Sequence, residues 1–259
     1  MEASETSIGA GFATPVEAGV PTVSIVIPAF NEAGRIAESI RKIDAYIRQA
    51  RLPVVEIIVV DDGSKDATSE IVGRLGTKGL RLIRNEENHG KGHTVRQGVL
   101  AASGTYVLFT DADLSAPIEE LSKLIDIANG EGADIVIGSR NLDRRYIEKH
   151  QSRLRELGGV TFNLMVRWLL DLPLRDTQCG FKLFHRERSR RVFEQQTTLG
   201  FGFDPELLFL AKRQGLKIRE APVRWSHAEG SKVKFLRDGI RMFFDLVRIR
   251  WNAIAGRYS

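Results

Sequence analysis

The chain has 259 residues, of which 42% are hydrophobic and 27% charged, and its formal net charge is +5. This length and composition indicate a globular protein that can bury a substantial core, as one large α/β domain or two small ones. A single cysteine, Cys179, excludes an internal disulfide and fits a reducing compartment, and the lack of any apolar run of about 18 residues predicts no transmembrane segment.

Predicted strands and helices alternate along the chain after a first segment that shows no periodic hydrophobic pattern. Residues 1–20 lack the basic start and apolar centre of a signal peptide, and we expect a flexible leader there. Short, nearly all-apolar strands are predicted at residues 23–27, 56–60, 80–83, 106–110 and 135–137. Helices are predicted at residues 35–49, 67–75, 94–102 and 118–128. This order predicts an α/β fold with a mostly parallel, Rossmann-like central sheet and helices on both faces, within one domain over residues 21–231.

The C-terminal segment, residues 232–259, is predicted to form a basic amphipathic helix, and its net charge of +5 equals that of the whole chain. Its apolar residues recur at helical spacing, and they are Leu236, Ile240, Phe243, Val247, Trp251 and Ile254. Such a helix could lie in a membrane interface or pack on the domain with a solvated basic edge, and the sequence leaves both open. Another apolar segment, residues 162–170, is too short to span a membrane and is expected to pack in the core.

Polar motifs follow four of the predicted strands, at the edge where parallel sheets bind ligands. Asp111-Ala112-Asp113 follows the fourth strand and can present hard oxygen ligands to Mg²⁺ or Mn²⁺, which usually takes other ligands from phosphates. Glu32 could accept hydrogen bonds from both hydroxyls of a ribose, and Asp62 from a base N–H. Lys91, between two glycines, could approach phosphate. The four loops therefore predict a metal-dependent site for a nucleoside diphosphate.

These motifs resemble those of the GT-A glycosyltransferases of family two, and they are VSIVIPAFNE at 23–32, VVDDGS at 59–64, NHGKG at 88–92 and DAD at 111–113. The resemblance covers residues 22 to about 250. Within that family, DTQCGFK at 176–182 and GSK at 230–232 are most similar to the dolichyl-phosphate glucosyltransferases, with the dolichyl-phosphate mannose synthases as close relatives. The resemblance implies the GT-A fold and an enzyme that transfers a hexosyl group with inversion, using Mg²⁺ or Mn²⁺.

The resemblance also implies which residues hold the nucleotide. Pro28, Phe30 and Glu32 would contact the base and ribose. Val60 and Asp62 would close the other side of this pocket.

Residues near the diphosphate and sugar are implied at the later strand ends. Asp113 would be the principal metal ligand, while Asp111, a second candidate ligand, would lie with Ala112 against the nucleotide and sugar. Arg140 would address the sugar or phosphate, and Lys232 would lie on a mobile loop that folds over the diphosphate.

The implied acceptor is a polyprenyl phosphate, whose second pKa of about 6, by analogy with phosphoserine, makes a strong general base unnecessary. Asp176 is the carboxylate we would choose if a base is needed, and positioning of the acceptor through Lys182 or nearby arginines is the alternative. At the position of Ser226, the mannose synthases share an arginine, which this chain lacks. This departure favours UDP-glucose over GDP-mannose as the donor.

We therefore expect an inverting glycosyltransferase that moves glucose from UDP-glucose to a dolichyl-type phosphate, as a peripheral protein at the cytoplasmic face of a membrane. The alternatives are a GDP-mannose donor, transfer to a glycan hydroxyl, or a nucleotide-sugar-binding protein without turnover. Asp111, Asp113 and Lys232 favour an enzyme, because a binding protein has no need to stabilise a leaving group. No nucleic-acid partner is expected, since the sequence carries no nucleic-acid-binding motif.

Overall fold

The computed structural model describes residues 4–8, 21–50, 52–149, 153–227 and 235–258. Its strands are β1 Ser4–Ile8, β2 Val23–Ala29, β3 Val54–Asp61, β4 Leu80–Arg84, β5 Tyr106–Thr110, β6 Ile135–Ser139, β7 Ile147–Lys149, β8 Phe181–His185, β9 Ile218–Pro222 and β10 Trp225–Ser226. Its α-helices are α1 Ile36–Ala50, α2 Thr68–Arg74, α3 Lys91–Ala101, α4 Leu121–Glu131, α5 Arg153–Leu170, α6 Arg186–Gln195, α7 Phe203–Arg213 and α8 Phe235–Ile254.

A central sheet of eight strands has the order β1-β4-β3-β2-β5-β8-β6-β9. Six of these strands run parallel, while β1 at the edge and β8 between β5 and β6 run antiparallel to their neighbours. The prediction of a mostly parallel sheet is confirmed. Insertion of β8 was not predicted, and it brings the residues just before Phe181 to the edge where the parallel strands end.

Two apolar layers cover the sheet. On one face, α1 buries Ile36, Ile40, Ile43 and Ile47 in a core that also includes residues of α2 and α4. On the other face, apolar residues of α3, α5, α6, α7 and α8 form the second core. The strands between these layers are covered on both sides, which explains why they are nearly all apolar in sequence.

One helix lies especially close to the sheet, because Gly98 of α3 has no side chain. A Cβ atom at this position would clash with Cγ1 of Val26 and lie 3.0 Å from Cγ2 of Val60. Val26 and Val60 are fully buried, so they have little room to move. This close approach holds α3 against the sheet, and Lys91, the first residue of α3, lies at the sheet edge.

The ends of the chain differ in part from expectation. Within the segment predicted as a flexible leader, Ser4–Ile8 pairs with β4 as an edge strand. At the other end, α8 packs on the domain through Met242, Leu246 and Ile249, which alternate with the predicted stripe. The stripe itself faces outward in the described part of the helix, where Ile240, Phe243, Val247, Trp251 and Ile254 are exposed. Packing on the domain and an outward apolar face therefore occur together.

The segment 162–170 also has two faces, so the expectation that it packs in the core is only half right. Phe162, Val166 and Leu170 are buried, whereas Leu164 and Trp168 are exposed. Among the described residues, no helix combines the length and hydropathy needed to cross a bilayer.

Substitution of Gly98 by alanine should destabilise the protein, because overpacking of the stiff valine pair outweighs the gain in helix propensity. We expect a loss of about 1–2 kcal/mol in the free energy of unfolding, measured by denaturant titration. Gly73→Ala in α2 is the matched control, since a Cβ there meets nothing within 4 Å. The control should be neutral or stabilising by up to about 1 kcal/mol. Equal stability of the two variants would contradict the packing described for α3.

Candidate active site

The loops that follow β2, β3, β4, β5 and β6 meet at one edge of the sheet, because parallel strands end on the same side. β8 begins at this edge, so the segment 176–180 joins them. Most of the sequence-predicted site residues in the described chain therefore lie along one edge, where five strands end and β8 begins.

The loops after β2 and β3 are tied together by hydrogen bonds. Asn31, with a φ of 54°, accepts from the Lys65 N–H at 2.8 Å, and its own N–H donates to Ser64 Oγ at 2.8 Å. The Glu32 N–H donates to Thr68 Oγ1 at 2.8 Å, and its Oε2 lies 3.0 Å from Nε of Arg35. These contacts hold the Glu32 carboxylate beside the ends of both strands.

Asp62 organises the next loop. It is 3% exposed, and its carboxylate accepts hydrogen bonds from the His89 N–H at 3.0 Å, the Gly90 N–H at 2.8 Å and Asn85 Nδ2 at 3.2 Å. The loop so held leads directly into Lys91. Asp62 was expected to accept a hydrogen bond from the base of a nucleotide. In the structure, three donors of the protein already bind its carboxylate.

The side chain of Val60 does not line the edge. It is fully buried between the sheet and α3, so only its backbone can face a nucleotide. Pro28 and Phe30 are partly exposed at the end of β2, as a residue that contacts a ligand must be.

The acidic turn after β5 has distinct contacts for its two carboxylates. Asp111 Oδ1 forms an ion pair with Lys91 Nζ at 2.6 Å, and Asp113 Oδ1 accepts from the Ser115 N–H at 2.9 Å. Ala112 between them is buried, and its carbonyl accepts from Ser39 Oγ at 2.6 Å. The turn is therefore anchored through Ala112, with one carboxylate paired to a cation and the other partly exposed.

Lys91 lies in a strongly acidic setting. Burial alone would lower the pKa of its ammonium, but Asp111 and Asp204 outweigh burial and raise this pKa. The ammonium also lies 5.3 Å from the centroid of the Phe109 ring. Lys91 is thus a fixed positive charge beside the acidic turn.

A second buried ion pair lies behind the first. Lys182 Nζ is 2.5 Å from Asp204 Oδ1 and donates to the Cys179 carbonyl at 2.5 Å. Both side chains are buried, and burial raises the pKa of Asp204 even though Lys182 opposes the shift. Burial also raises the pKa of the Cys179 thiol to about 12, so this cysteine is not a nucleophile at neutral pH.

Arg140, after β6, is held by Asp176 in a two-pronged ion pair. Its Nε lies 2.6 Å from Oδ2 and its Nη2 lies 2.8 Å from Oδ1, while its backbone N–H donates to Oδ2 at 3.0 Å. Burial would raise the pKa of Asp176, but Arg140 outweighs burial and lowers it. Asp176 is therefore a firmly ionised group that orients Arg140, with both of its oxygens engaged.

Three further residues that contact Arg140, Asp176 or Lys182 were not predicted. Glu220 accepts from the Asp176 N–H at 3.0 Å, the Trp225 ring lies 5.4 Å from the Arg140 guanidinium carbon, and Asp204 pairs with Lys182. No local pattern marks these side chains, because their contacts depend on where β8, β9, β10 and α7 lie in the fold.

The lysine expected to lie over the diphosphate and an arginine close to it in sequence have different outcomes. Lys232 lies outside the described residues. Arg224, which the sequence places near Ser226, forms an ion pair with Glu120 at 2.6 Å.

The donor set of the acidic turn fits Mg²⁺ or Mn²⁺ shared with a ligand. Asp111 and Asp113 offer carboxylate oxygens one residue apart, which is the chemistry that these cations prefer. Within the ranges that the structure covers, no three carboxylate, imidazole or thiol groups converge on one point. A cation at this turn would therefore need oxygens from a substrate or water.

A sequence model described as glycosyl transferase family 2 matches residues 24–193. The chain belongs to this family. It is also 34% identical to the dolichyl-phosphate beta-glucosyltransferase of Dictyostelium discoideum, over 90% of this chain and 75% of that protein. The Homo sapiens protein of the same name is 34% identical over 91% of this chain and 77% of its own length. The chain is thus a glycosyltransferase, as predicted.

Solved structures agree on the fold. Glucosyl-3-phosphoglycerate synthase from Mycobacterium tuberculosis, in complex with Mn²⁺, UDP and phosphoglyceric acid, matches with a TM-score of 0.67 at 23% identity. The match covers 94% of this chain and 80% of that one. It confirms the predicted GT-A architecture.

Gly180 should be essential for the acidic turn, because a Cβ atom there would overlap the Asp111 carboxylate. We expect Gly180→Ala to displace Asp111 from Lys91 and to lower transferase activity by about tenfold or more, with a smaller effect on thermal stability. Gly34→Ala is the control, since a Cβ there meets nothing within 4 Å. Unchanged activity of Gly180→Ala would show that Asp111 need not occupy this position.

Asp176→Asn should lower stability in a pH-dependent way. At neutral pH we expect a loss of about 3 kcal/mol, because the Arg140 charge loses its ionised partner. Since the pKa of Asp176 is lowered on folding, its contribution is fully present above the unfolded value of about 4 and is lost as the pH falls through the folded value. Denaturant titrations of both proteins should therefore converge on acidification. A difference that stays constant from pH 7 to pH 3 would refute this role.

Proposed function

We propose that the protein transfers a glucosyl group from UDP-glucose to a dolichyl-type polyprenyl phosphate, with inversion at the anomeric carbon and dependence on Mg²⁺ or Mn²⁺. The observation that carries the proposal is the acidic turn Asp111–Asp113 beside two oriented cations, Lys91 and Arg140, at one sheet edge. The names of the relatives support the lipid acceptor and the glucosyl group.

In the proposed complex, the nucleoside lies over the ends of β2 and β3. Pro28 and Phe30 contact the base, and Glu32 accepts hydrogen bonds from the ribose. Asp62 contributes by holding the loop 88–91 in place, and Val60 contributes backbone only. This arrangement retains the predicted residues but gives Asp62 and Val60 supporting parts.

The metal and the cations would act on the diphosphate. Asp113, with Asp111 as the second ligand, would hold Mg²⁺ or Mn²⁺, which when bound neutralises charge on the nucleoside diphosphate leaving group. Breaking the sugar C1–O bond leaves that diphosphate anionic and the sugar oxocarbenium-like. Lys91, Arg140 and Lys232 would stabilise the developing negative charge, and the fixed position of Arg140 keeps the reorganisation energy low.

The geometry of Asp176 bears on the choice of acceptor. Its carboxylate accepts two hydrogen bonds from the Arg140 side chain, and its pKa is lowered by this arginine, so it is poorly suited to remove a proton. A lipid phosphate is largely deprotonated at neutral pH and attacks without such a base. This favours a phosphate acceptor over a glycan hydroxyl.

The donor and the site of action follow from the same proposal. Ser226 replaces an arginine that mannose synthases resemble one another in having, which favours UDP-glucose over GDP-mannose. Because the acceptor is a lipid, the protein would work at a membrane surface. A peripheral position at the cytoplasmic face is part of the proposal.

A panel of sugar nucleotides tests the proposed reaction. The protein is incubated with Mg²⁺, a short-chain polyprenyl phosphate and each of UDP-glucose, UDP-galactose and GDP-mannose, and the lipid products are analysed by mass spectrometry. We expect a hexosyl lipid from UDP-glucose at a rate at least about tenfold above the other donors. Preferential use of GDP-mannose would overturn the donor assignment, and no glycolipid from any donor would overturn the acceptor assignment.

Asp113→Ala should abolish transfer while leaving the fold intact, because it removes the principal metal ligand. We expect a fall of about a thousandfold or more in kcat, together with loss of Mn²⁺ binding in titrations that contain UDP. Asp126→Ala removes an exposed acid from α4 and should retain full activity. Substantial activity of Asp113→Ala would refute its assignment as the metal ligand.

A further inference from the structure

Exposed apolar side chains are concentrated on two neighbouring helices. Of the eleven large hydrophobic residues exposed in the described chain, nine lie on α5 or α8. They are Val160, Leu164, Trp168, Ile240, Phe243, Phe244, Val247, Trp251 and Ile254. Scattered exposed hydrophobics are normal on a protein surface, but a concentration of this kind marks a contact with a partner or a lipid phase.

Helix α5 is apolar on opposite faces. Phe162 and Val166 are buried at a spacing of four residues, and Leu164 and Trp168 repeat the same spacing two residues later. With about 100° per residue, two residues place the second stripe on the far side of the helix. Trp168 is 83% exposed, so the outer stripe has no cover in the described protein.

Helix α8 repeats this design and packs against α5. Its inner residues, Met242, Leu246 and Ile249, belong to the same core as the inner stripe of α5. Because both helices bury their inner faces in one core, their outer faces lie on the same side of the molecule. They form one composite surface, here called the α5–α8 surface, with Trp168 and Trp251 as its largest exposed side chains.

The exposed charges on the described parts of α5 and α8 are basic, and Asp171, which follows α5, is exposed and paired with Lys212. Arg167, Arg241, Arg248 and Arg250 are exposed beside the apolar residues. Asp245 is partly buried and packs against Gly202, where a Cβ atom would meet its carboxylate. An apolar surface with tryptophans and an arginine rim is the composition that binds the interface of an anionic bilayer.

We propose that the α5–α8 surface docks this protein on a bilayer that contains anionic phospholipids, with both helices lying in the interface. The biological use of this contact rests on the proposed lipid acceptor. A second copy of the chain fits less well, because a two-fold contact through this surface would bring the arginines of both copies together.

Docking at this surface would bring the active site near the lipid. Met242, on the inner side of α8, accepts a weak hydrogen bond from Gln178 Nε2 at 3.9 Å. Gln178 lies two residues from Gly180, which contacts the acidic turn. One helix, about 10 Å across, therefore separates the docked face from the segment that carries the site.

Vesicle binding by a paired α5 variant tests the proposal. Leu164→Glu with Trp168→Glu places two charges on the outer stripe, and Ala45→Glu with Gln49→Glu places two on exposed positions of α1, across the sheet. Binding is measured by co-sedimentation with phosphatidylcholine vesicles that contain about 30% phosphatidylglycerol. We expect the wild type and the α1 pair to bind alike and the α5 pair to bind about tenfold or more weakly.

Circular dichroism and thermal melting verify that both double variants, the α5 pair and the α1 pair, are folded. Wild-type binding by the α5 pair, or no vesicle binding by the wild type, would overturn the proposal. So would sedimentation velocity that shows a wild-type dimer dissociated by the α5 pair.

Transfer to a soluble short-chain polyprenyl phosphate, assayed without vesicles, separates this proposal from the proposed function. The α5 pair should retain wild-type transfer there. If the wild type binds vesicles but transfers no sugar, the proposed function fails while the docking surface stands.

Discussion

The close approach of Gly180 to Asp111 is the constraint on which the site depends. It exists because β8 enters the sheet antiparallel between β5 and β6, with the Asp111 N–H donating to the Gly180 carbonyl at 3.2 Å. The same strand carries Lys182 into the core behind the acidic turn, and the segment before it carries Asp176 to Arg140. β8 and the segment before it therefore fix the positions of both the acidic turn and Arg140.

Three carboxylates at and behind the site are paired with cations. Asp111 faces Lys91 and Asp176 faces Arg140, while Asp204 faces Lys182 in the layer below. Pairing makes burial of these charges tolerable, because each charged group has an oppositely charged partner with hydrogen bonds. It also gives a nucleoside diphosphate and its metal a set of groups already held at fixed positions, which is the condition for electrostatic catalysis.

Much of this was predictable from sequence, and the exceptions have physical reasons. The parallel strands were visible because strands covered on both faces are uniformly apolar. The strand-end motifs placed Asp111 and Lys91 at one edge, and the family resemblance added Arg140. The two-pronged ion pair between Asp176 and Arg140 could not be predicted from the sequence, since it joins residues that are far apart in the chain. The sequence left open whether the apolar stripe of α8 lies in a membrane interface or packs on the domain. This stripe has the period of a packed helix, but a second stripe through Met242 and Leu246 makes the packing contact. A helix that is apolar on two faces has no periodicity that reveals which face is buried.

A crystal structure of the full chain with Mn²⁺ and UDP-glucose would test the central claim most directly, because anomalous scattering locates manganese without assumptions. We predict a peak within coordination distance, about 2–2.5 Å, of carboxylate oxygens of Asp113, with diphosphate oxygens completing its shell and Arg140 facing the sugar or phosphate. A nucleotide bound elsewhere, or a manganese peak away from the turn Asp111–Asp113, would contradict it.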